Sequence, residues 1–311
     1  GLSVFDAYVV SDMDKEYEIR RSQRKPTSNY PYMLPLTDTD GTALHTCHIL
    51  HPPESGIRYL VTVDPSMGVK KTGDPSAIMV WGFYQDSRVK LFAVNDGVLP
   101  VMMQAQIAFK FSELFRTYGE MSTVSVENVD KYGTAVINAL RKMKTPKGDK
   151  APLYHMRAPG FGSRTEIMPG FSMNLQTKTY AIQTLRSWLP LWQVDYKPWF
   201  GQLANFQQVN ITKAIVRGAN GIHDDLVTSS LQAAFIGVEW GAFNVPMTPN
   251  TIDRLPSPDD ELPAADLNIR NQEKHHDETA MEFWIRTHKD APKEPATMTS
   301  AWGEVLDPIR W

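Results

Sequence analysis

The chain has 311 residues, 42% of them hydrophobic, and a formal net charge of −3. Length and apolar content suffice for one sizeable core with appendages, while the charge excludes a general attraction to nucleic acid and leaves that task to local basic clusters. No apolar run approaches the roughly 20 residues that cross a bilayer, no signal-peptide pattern opens the chain, and the single cysteine, Cys47, excludes an internal disulfide and fits a reducing cytosol.

Residues 1–57 are polar, mixed in charge and punctuated by Pro26, Pro31, Pro35, Pro52 and Pro53, without sustained periodicity. They read as a linker or a packed arm with short helical or strand pieces. His45, Cys47, His48 and His51 crowd together, but no second ligand pair stands at the spacing of a zinc finger. The texture changes at Arg58. Tyr59–Val63 is a near-continuous strand-forming run ending in Asp64 and the breakers Pro65 and Gly68, the pattern of a strand buried on both faces. Strands follow at 76–84 and 88–94, joined by a turn at 85–87, with Asn95-Asp96-Gly97 turning the chain again.

A helical stripe of Ile107, Phe111, Leu114 and Phe115 predicts a helix over 102–118 with Gly119 as its stop. A short strong strand, Thr123–Glu127, precedes a second helix over 132–144. Leu153–Met156 reads as a strand, 158–170 as a Gly/Pro-rich loop, 180–192 and 199–208 as helices, and 213–217 as a strand. A last helix starts near His223-Asp224-Asp225 and runs to about Val238. Beyond Gly241 the chain is acidic and Pro-rich, an extended or docking tail. Its His275-His276-Asp277-Glu278 reads as a solvated helix start. The expected domains are an arm at 1–57, an α/β domain at 58–243 and a tail at 244–311.

Three acidic positions stand out. Asp64 and Glu127 each end a compact strand, and by strand alternation each shares a face with polar neighbours, Thr62 for Asp64 and Ser125 for Glu127. That more polar, less tightly packed face is expected to open into a cleft. Asp224 falls on the inward stripe of the last helix with Val227 and Leu231, whereas Asp225 falls in line with Thr228, Ser229 and Gln232. The periodicity favours Asp224 and leaves the choice open. Each acid also has an ordinary reading: a turn former before Pro65, a strand-end charge, a helix cap. Taken together, hard carboxylate oxygens without a thiolate point to Mg²⁺ or Mn²⁺. Two such ions, about 3.5–4 Å apart, can serve phosphodiester hydrolysis. Asp74, at the start of the second strand, is a further candidate ligand, or else a turn residue after Gly73.

The order Val-Asp64-Pro-Ser-Met-Gly68, Gly73-Asp74-Pro-Ser-Ala77, Val-Glu127-Asn128 and Gly221-Ile-His-Asp224-Asp225-Leu resembles the nuclease domain of the large terminase subunits of tailed bacteriophages, over residues 58–240. The resemblance implies an RNase H-like fold, a central mixed sheet with helices on both faces, within the RNase H-like/retroviral integrase superfamily. It implies an endonuclease that cuts concatemeric double-stranded DNA with two Mg²⁺ or Mn²⁺ ions. Asp64 would bridge both ions, Glu127 would hold one, Asp224 or Asp225 would complete the site, and Asp74 matches a family acid nearby. It also implies the portal protein and the small terminase subunit as partners, and the host cytoplasm as the place of work.

Large terminases carry an ATPase as well, but no G-x-x-x-x-G-K-[ST] loop occurs here. DNA cleavage without ATP hydrolysis is therefore expected, with residues 1–57 as the join to an ATPase half upstream of Gly1. Candidate phosphate contacts are Lys70 and Lys71 beside Asp64, then Arg141, Lys142, Lys144, Lys147 and Lys150, with Arg157, Arg164 and Lys178 as further possibilities. Such contacts carry no base information. The Lys run also reads as an ordinary solvated helix end. Two rivals stand: a Holliday-junction resolvase or integrase-like nuclease on the same fold, and a non-catalytic module whose tail docks on a portal.

Overall fold

The computed structural model describes residues 2–23, 32–37, 43–67, 75–128, 131–159, 165–210, 215–218 and 223–242. Residues 68–74, among them Lys70, Lys71 and Asp74, lie outside these residues, as do those from 243 on.

The chain begins with β1 (Leu2–Ser3) and α1 (Ala7–Ser22). Asp6 caps α1, its Oδ1 accepting from the Tyr8 and Val9 N–H groups. Only Val10, Met13 and Tyr17 of α1 are buried. So thin a stripe in a charged helix explains why the sequence showed no periodicity there. β2 (Tyr32–Thr37) and β3 (Ala43–Ile49) pair antiparallel, and β3 joins the central sheet beside β6 (Val89–Gly97). Segments of 1–57 thus contribute both a docked helix and sheet strands.

The seven-stranded sheet is built on β4 (Arg58–Asp64), β5 (Ser76–Phe83) and β6, an antiparallel meander, with β7 (Thr123–Val126) parallel to β4. Strand order β6-β5-β4-β7, with Leu153 bridged in parallel to Val124 beyond it, is an RNase H-like arrangement. β6 continues through Asn95 and Asp96, where a turn was expected, because both pair with β5. α2 (Val101–Leu114) connects β6 to β7 and stops earlier than expected, since Phe115 leaves helical geometry and Thr117–Glu120 closes a turn with Gly119 at φ +89.

α3 (Lys131–Lys142) returns the chain to the level of Val124. The region expected as a loop at 158–170 instead holds the second arm of a hairpin, β8 (His155–Pro159) and β9 (Thr165–Pro169). This hairpin is inserted between Tyr154, which bonds Val124, and Phe171, which bonds Val126 and Asn128. It therefore leaves the sheet beside Glu127.

α4 (Leu175–Trp188) starts five residues before the expected helix because Asn174 caps it, accepting from the Thr177 N–H, and a 3-10 turn with Pro190 ends it. β10 (Trp192–Gln193) pairs with β6. α5 (Lys197–Ala204) is followed by β11 (Phe206–Asn210), which pairs with β1 and β12 (Ile215–Gly218) where the sequence suggested more helix. α6 (Asp225–Glu239) is the last element among the described residues.

The sheet is covered on both faces. Val61, Val63, Val80, Val124 and Val126 pack with residues of α2 and α3, while Leu60, Met79 and Trp81 pack with those of α4, α5 and α6. α6 is buried all round from Leu226 to Val238. Among the described residues no helix is long and apolar enough to cross a membrane.

Candidate metal centre

Parallel pairing brings the first two acids together. Val63 stands opposite Val126, and the Glu127 N–H donates to the Val63 carbonyl at 2.9 Å. Asp64 and Glu127 therefore leave the same end of adjacent strands, and alternation sets both side chains on the α6 face. Their carboxyls are in hydrogen-bond contact. Asp225 in the first turn of α6 and Asp224 just before it add their charges at the same end. Burial first, then Glu127, Asp225 and Asp224, hold the Asp64 carboxyl well above its usual range.

The two α6 acids differ in their surroundings. Asp225 shares a stripe with Ser229 and Gln232, four and seven residues on. Both of those side chains bond β4, and Gln232 bonds β7 as well. Asp224 Oδ2 instead accepts the Gly218 N–H at 3.0 Å. Because α6 is buried on all sides, no single inward stripe exists to favour Asp224, and of the two it is Asp225 whose charge acts more strongly on Asp64. Asp224 is not a side-chain cap either. Gln202 of α5 takes that place, its Oε1 accepting the Leu226 N–H at 2.9 Å. His223 Nδ1 lies 3.9 Å from Asp225 Oδ2.

The polar face expected to open into a cleft is closed. Thr62 and Ser125 are fully buried beneath α6. The Thr62 and Ser229 hydroxyls are 2.6 Å apart, Trp81 Nε1 donates to Thr62 Oγ1 at 3.1 Å, and Ser125 Oγ donates to Gln232 Oε1 at 3.0 Å. Only the strand tips bearing the acids emerge. Sequence reasoning missed this layer between α6 and the sheet, though Ser229 and Gln232 inside an apolar helix were its signal, since buried polar groups require partners.

Other side chains hold the strand ends. Gln104 of α2 donates to the Ser66 and Leu99 carbonyls at 2.8 and 2.7 Å and accepts the Ser66 N–H, fastening the chain just after Asp64. Asn128 Nδ2 donates to the Pro169 carbonyl at 2.9 Å. Gly170, at φ +83, passes so close to Val126 that a Cβ would come within 2.5 Å of its carbonyl oxygen.

Among the described residues no group of three or more His, Cys, Asp or Glu side chains stands, as placed, where it could hold a metal ion. The acids form a cluster of like charge whose donors are all carboxylate oxygens, and that donor set fits a hard divalent cation. The His-rich stretch does other work. Cys47 is buried, its Sγ accepting from Asn95 Nδ2 at 3.5 Å, and burial pushes the thiol up to about 12. His51 Nε2 lies 2.9 Å from the buried Asp195.

The basic cluster behind β7 lies away from the acids. α3 leaves the acid-bearing end and runs back along β7 for 12 residues, about 18 Å. Asp149 of the following turn meets Arg116, and the adjacent Thr117 accepts the Tyr59 N–H at the opposite end of β4 from Asp64. Arg141, Lys142, Lys144, Lys147 and Lys150 therefore lie toward the far end of the sheet. Arg157 belongs to β8, Arg164 lies outside the described residues, and Lys178 sits over the Phe206 ring at 5.5 Å. A cleft of about 490 Å³ between α1, β3 and α5, lined by Tyr17, Arg21, His48 and Lys197, is separate from the acids.

The chain is similar to large terminase nuclease domains. A cobalt-bound large terminase nuclease from thermophilic phage G20c is 14% identical, with 75% of this chain and 96% of that one covered and a TM-score of 0.44. For the human cytomegalovirus terminase nuclease domain the values are 13%, 75%, 94% and 0.46. For the Thermus phage P74-26 large terminase nuclease domain they are 16%, 72%, 93% and 0.40. No protein-family model and no curated protein matches the sequence.

Proposed function

We propose that the chain is a divalent-metal-dependent endonuclease that hydrolyses phosphodiester bonds of double-stranded DNA. The observation that carries this reading is the convergence of Asp64, Glu127 and the Asp224–Asp225 pair at one end of an RNase H-like sheet. Packing carboxylates against one another raises the free energy of the metal-free site, and a bound cation removes that cost. Asp64, Glu127 and Asp225 would hold two Mg²⁺ or Mn²⁺ ions, with Asp224 and Asp74 as further oxygen donors. Such ions supply an activated water and charge compensation at the phosphate. The protein's own part is to hold the carboxylates close together and fixed against the ends of β4, β7 and α6. In the setting the motif order suggests, the substrate is concatemeric viral DNA during genome packaging in the host cytoplasm. The portal protein and the small terminase subunit are then its partners.

Plasmid nicking tests the proposal. The purified chain is expected to nick supercoiled plasmid in Mn²⁺ and not in chelator, and both Asp64→Ala and Glu127→Ala are expected to remove that activity. Nicking that survives both substitutions overturns it. Preference for four-way junctions over linear duplex would assign the chain to the resolvases instead.

A further inference from the structure

The three elements that carry the acids share one internal fastener. Gln232 is fully buried on α6, two turns beyond Asp225 on the same stripe. Its Nε2 donates to the Val63 carbonyl at 3.0 Å, and its Oε1 accepts from the Ser125 hydroxyl at 3.0 Å. The amide can sit only this way round, because a carbonyl oxygen accepts and never donates. Val63 immediately precedes Asp64, and Ser125 stands two residues before Glu127 on the same face. The Val63 carbonyl also accepts the Glu127 N–H, so both of its lone pairs are used. One side chain thereby ties the Asp64 strand, the Glu127 strand and the Asp225 helix. Ser229, by contrast, reaches Thr62 of β4 and, among the described residues, no side chain or carbonyl of β7.

A Leu or Met of similar volume would fill this position without desolvating an amide, so packing alone does not call for Gln. Fixed geometry does. Groups that orient metal ligands matter nearly as much as the ligands, and a shift of about 1 Å can cost roughly 10²-fold in rate.

We propose that Gln232 is a positioning residue of the metal centre, its amide setting the height and rotation of α6 over β4 and β7 and hence how closely Asp225 approaches Asp64 and Glu127. This rests on reading the acids as a metal site. The test titrates Mn²⁺ against two readouts, plasmid nicking and melting temperature. Gln232→Met is expected to need roughly tenfold more Mn²⁺ for half-maximal effect in both. Ser125→Ala, which cuts the β7 tie alone, is expected to shift in the same direction. Ser230→Ala removes buried hydrogen bonds of the same helix to Trp199 and Leu226. It is expected to melt lower while keeping the wild-type Mn²⁺ requirement. Gln232→Glu, able to donate to Val63 only when protonated, is expected to match wild type at low pH and to fall behind it as pH rises.

Wild-type Mn²⁺ requirements in Gln232→Met overturn the proposal, as does an equal shift in Ser230→Ala. Should Gln232→Met fail to fold, an unshifted Ser125→Ala overturns it instead. A wild-type protein that neither nicks nor is stabilised by Mn²⁺ overturns both this inference and the nuclease reading. A responsive wild type with an unshifted variant overturns this inference alone.

Discussion

A methyl group at Gly133 would run into the carbonyl oxygen of Glu127. The first turn of α3 is thus pressed directly on the strand end that carries the second acid, and any side chain at 133 must push the two apart. Gly133→Ala is expected to lose about 1–2 kcal/mol of stability, an overpacking cost of about 1–3 kcal/mol offset by up to about 1 kcal/mol of helix propensity. Plasmid nicking should fall by about tenfold or more, because Glu127 moves with its backbone. Urea unfolding and a nicking assay on the same preparation check both numbers.

The Asp64 carboxyl is held well above its usual range by burial and by Glu127, Asp225 and Asp224. The folded protein therefore keeps a proton that the unfolded chain releases near pH 4. Stability from this group is full below that pH and declines as pH rises toward the folded value. In chelator, the wild-type protein is expected to melt lower at pH 8 than at pH 5. Asp64→Asn should flatten that slope, melt higher than wild type at pH 8 and abolish nicking. Calorimetric melts across pH 5–8 test the sign.

Cations that relieve the same repulsion should stabilise the fold by mass action. Mn²⁺ or Mg²⁺ at 100 times its dissociation constant is expected to add about 2.7 kcal/mol. The gain should vanish in Asp64→Asn and reverse on chelation. Thermal shift with and without metal, at fixed ionic strength, is the measurement.

Asp195 behaves oppositely. Burial alone would raise its carboxyl, but the His51 hydrogen bond and charge, with Arg20 Nε at 2.9 Å, outweigh burial and hold it well below the usual range. Its contribution is present above about pH 4 and lost as pH falls further, a window apart from that of Asp64. Arg20→Ala is expected to cost about 2 kcal/mol at pH 7, loosening α1 from the body. It should also move the acid-unfolding midpoint upward, as followed by circular dichroism.

Much of the fold was legible in the residues themselves. The run into Asp64 marks a strand buried on both faces, and β4 is buried from Tyr59 to Val63. The α2 and α3 stripes carried their own periodicity. Boundaries shifted where local chemistry intervened, as with the Asn174 cap that starts α4 early. α1 and β11 escaped notice for a different reason. A helix with three buried residues, and a strand made by pairing with β1, draw their stability from partners far away in sequence.

By itself the sequence determined which residues carry oxygen donors, that Asp64 and Glu127 end strands, and that two adjacent acids open a buried helix. Those are local properties, set by composition and spacing along a few residues. Only the tertiary structure decided that β7 lies parallel to β4 with Val63 opposite Val126, that Asp225 is the acid on the stripe facing both strands, and that the Arg141–Lys147 cluster lies toward the other end of the sheet. Strand register depends on hydrogen bonds between distant residues such as Glu127 to Val63, and helix rotation on ones more than a hundred positions apart, such as Gln232 to Val63. Spacing along one segment holds no record of such contacts.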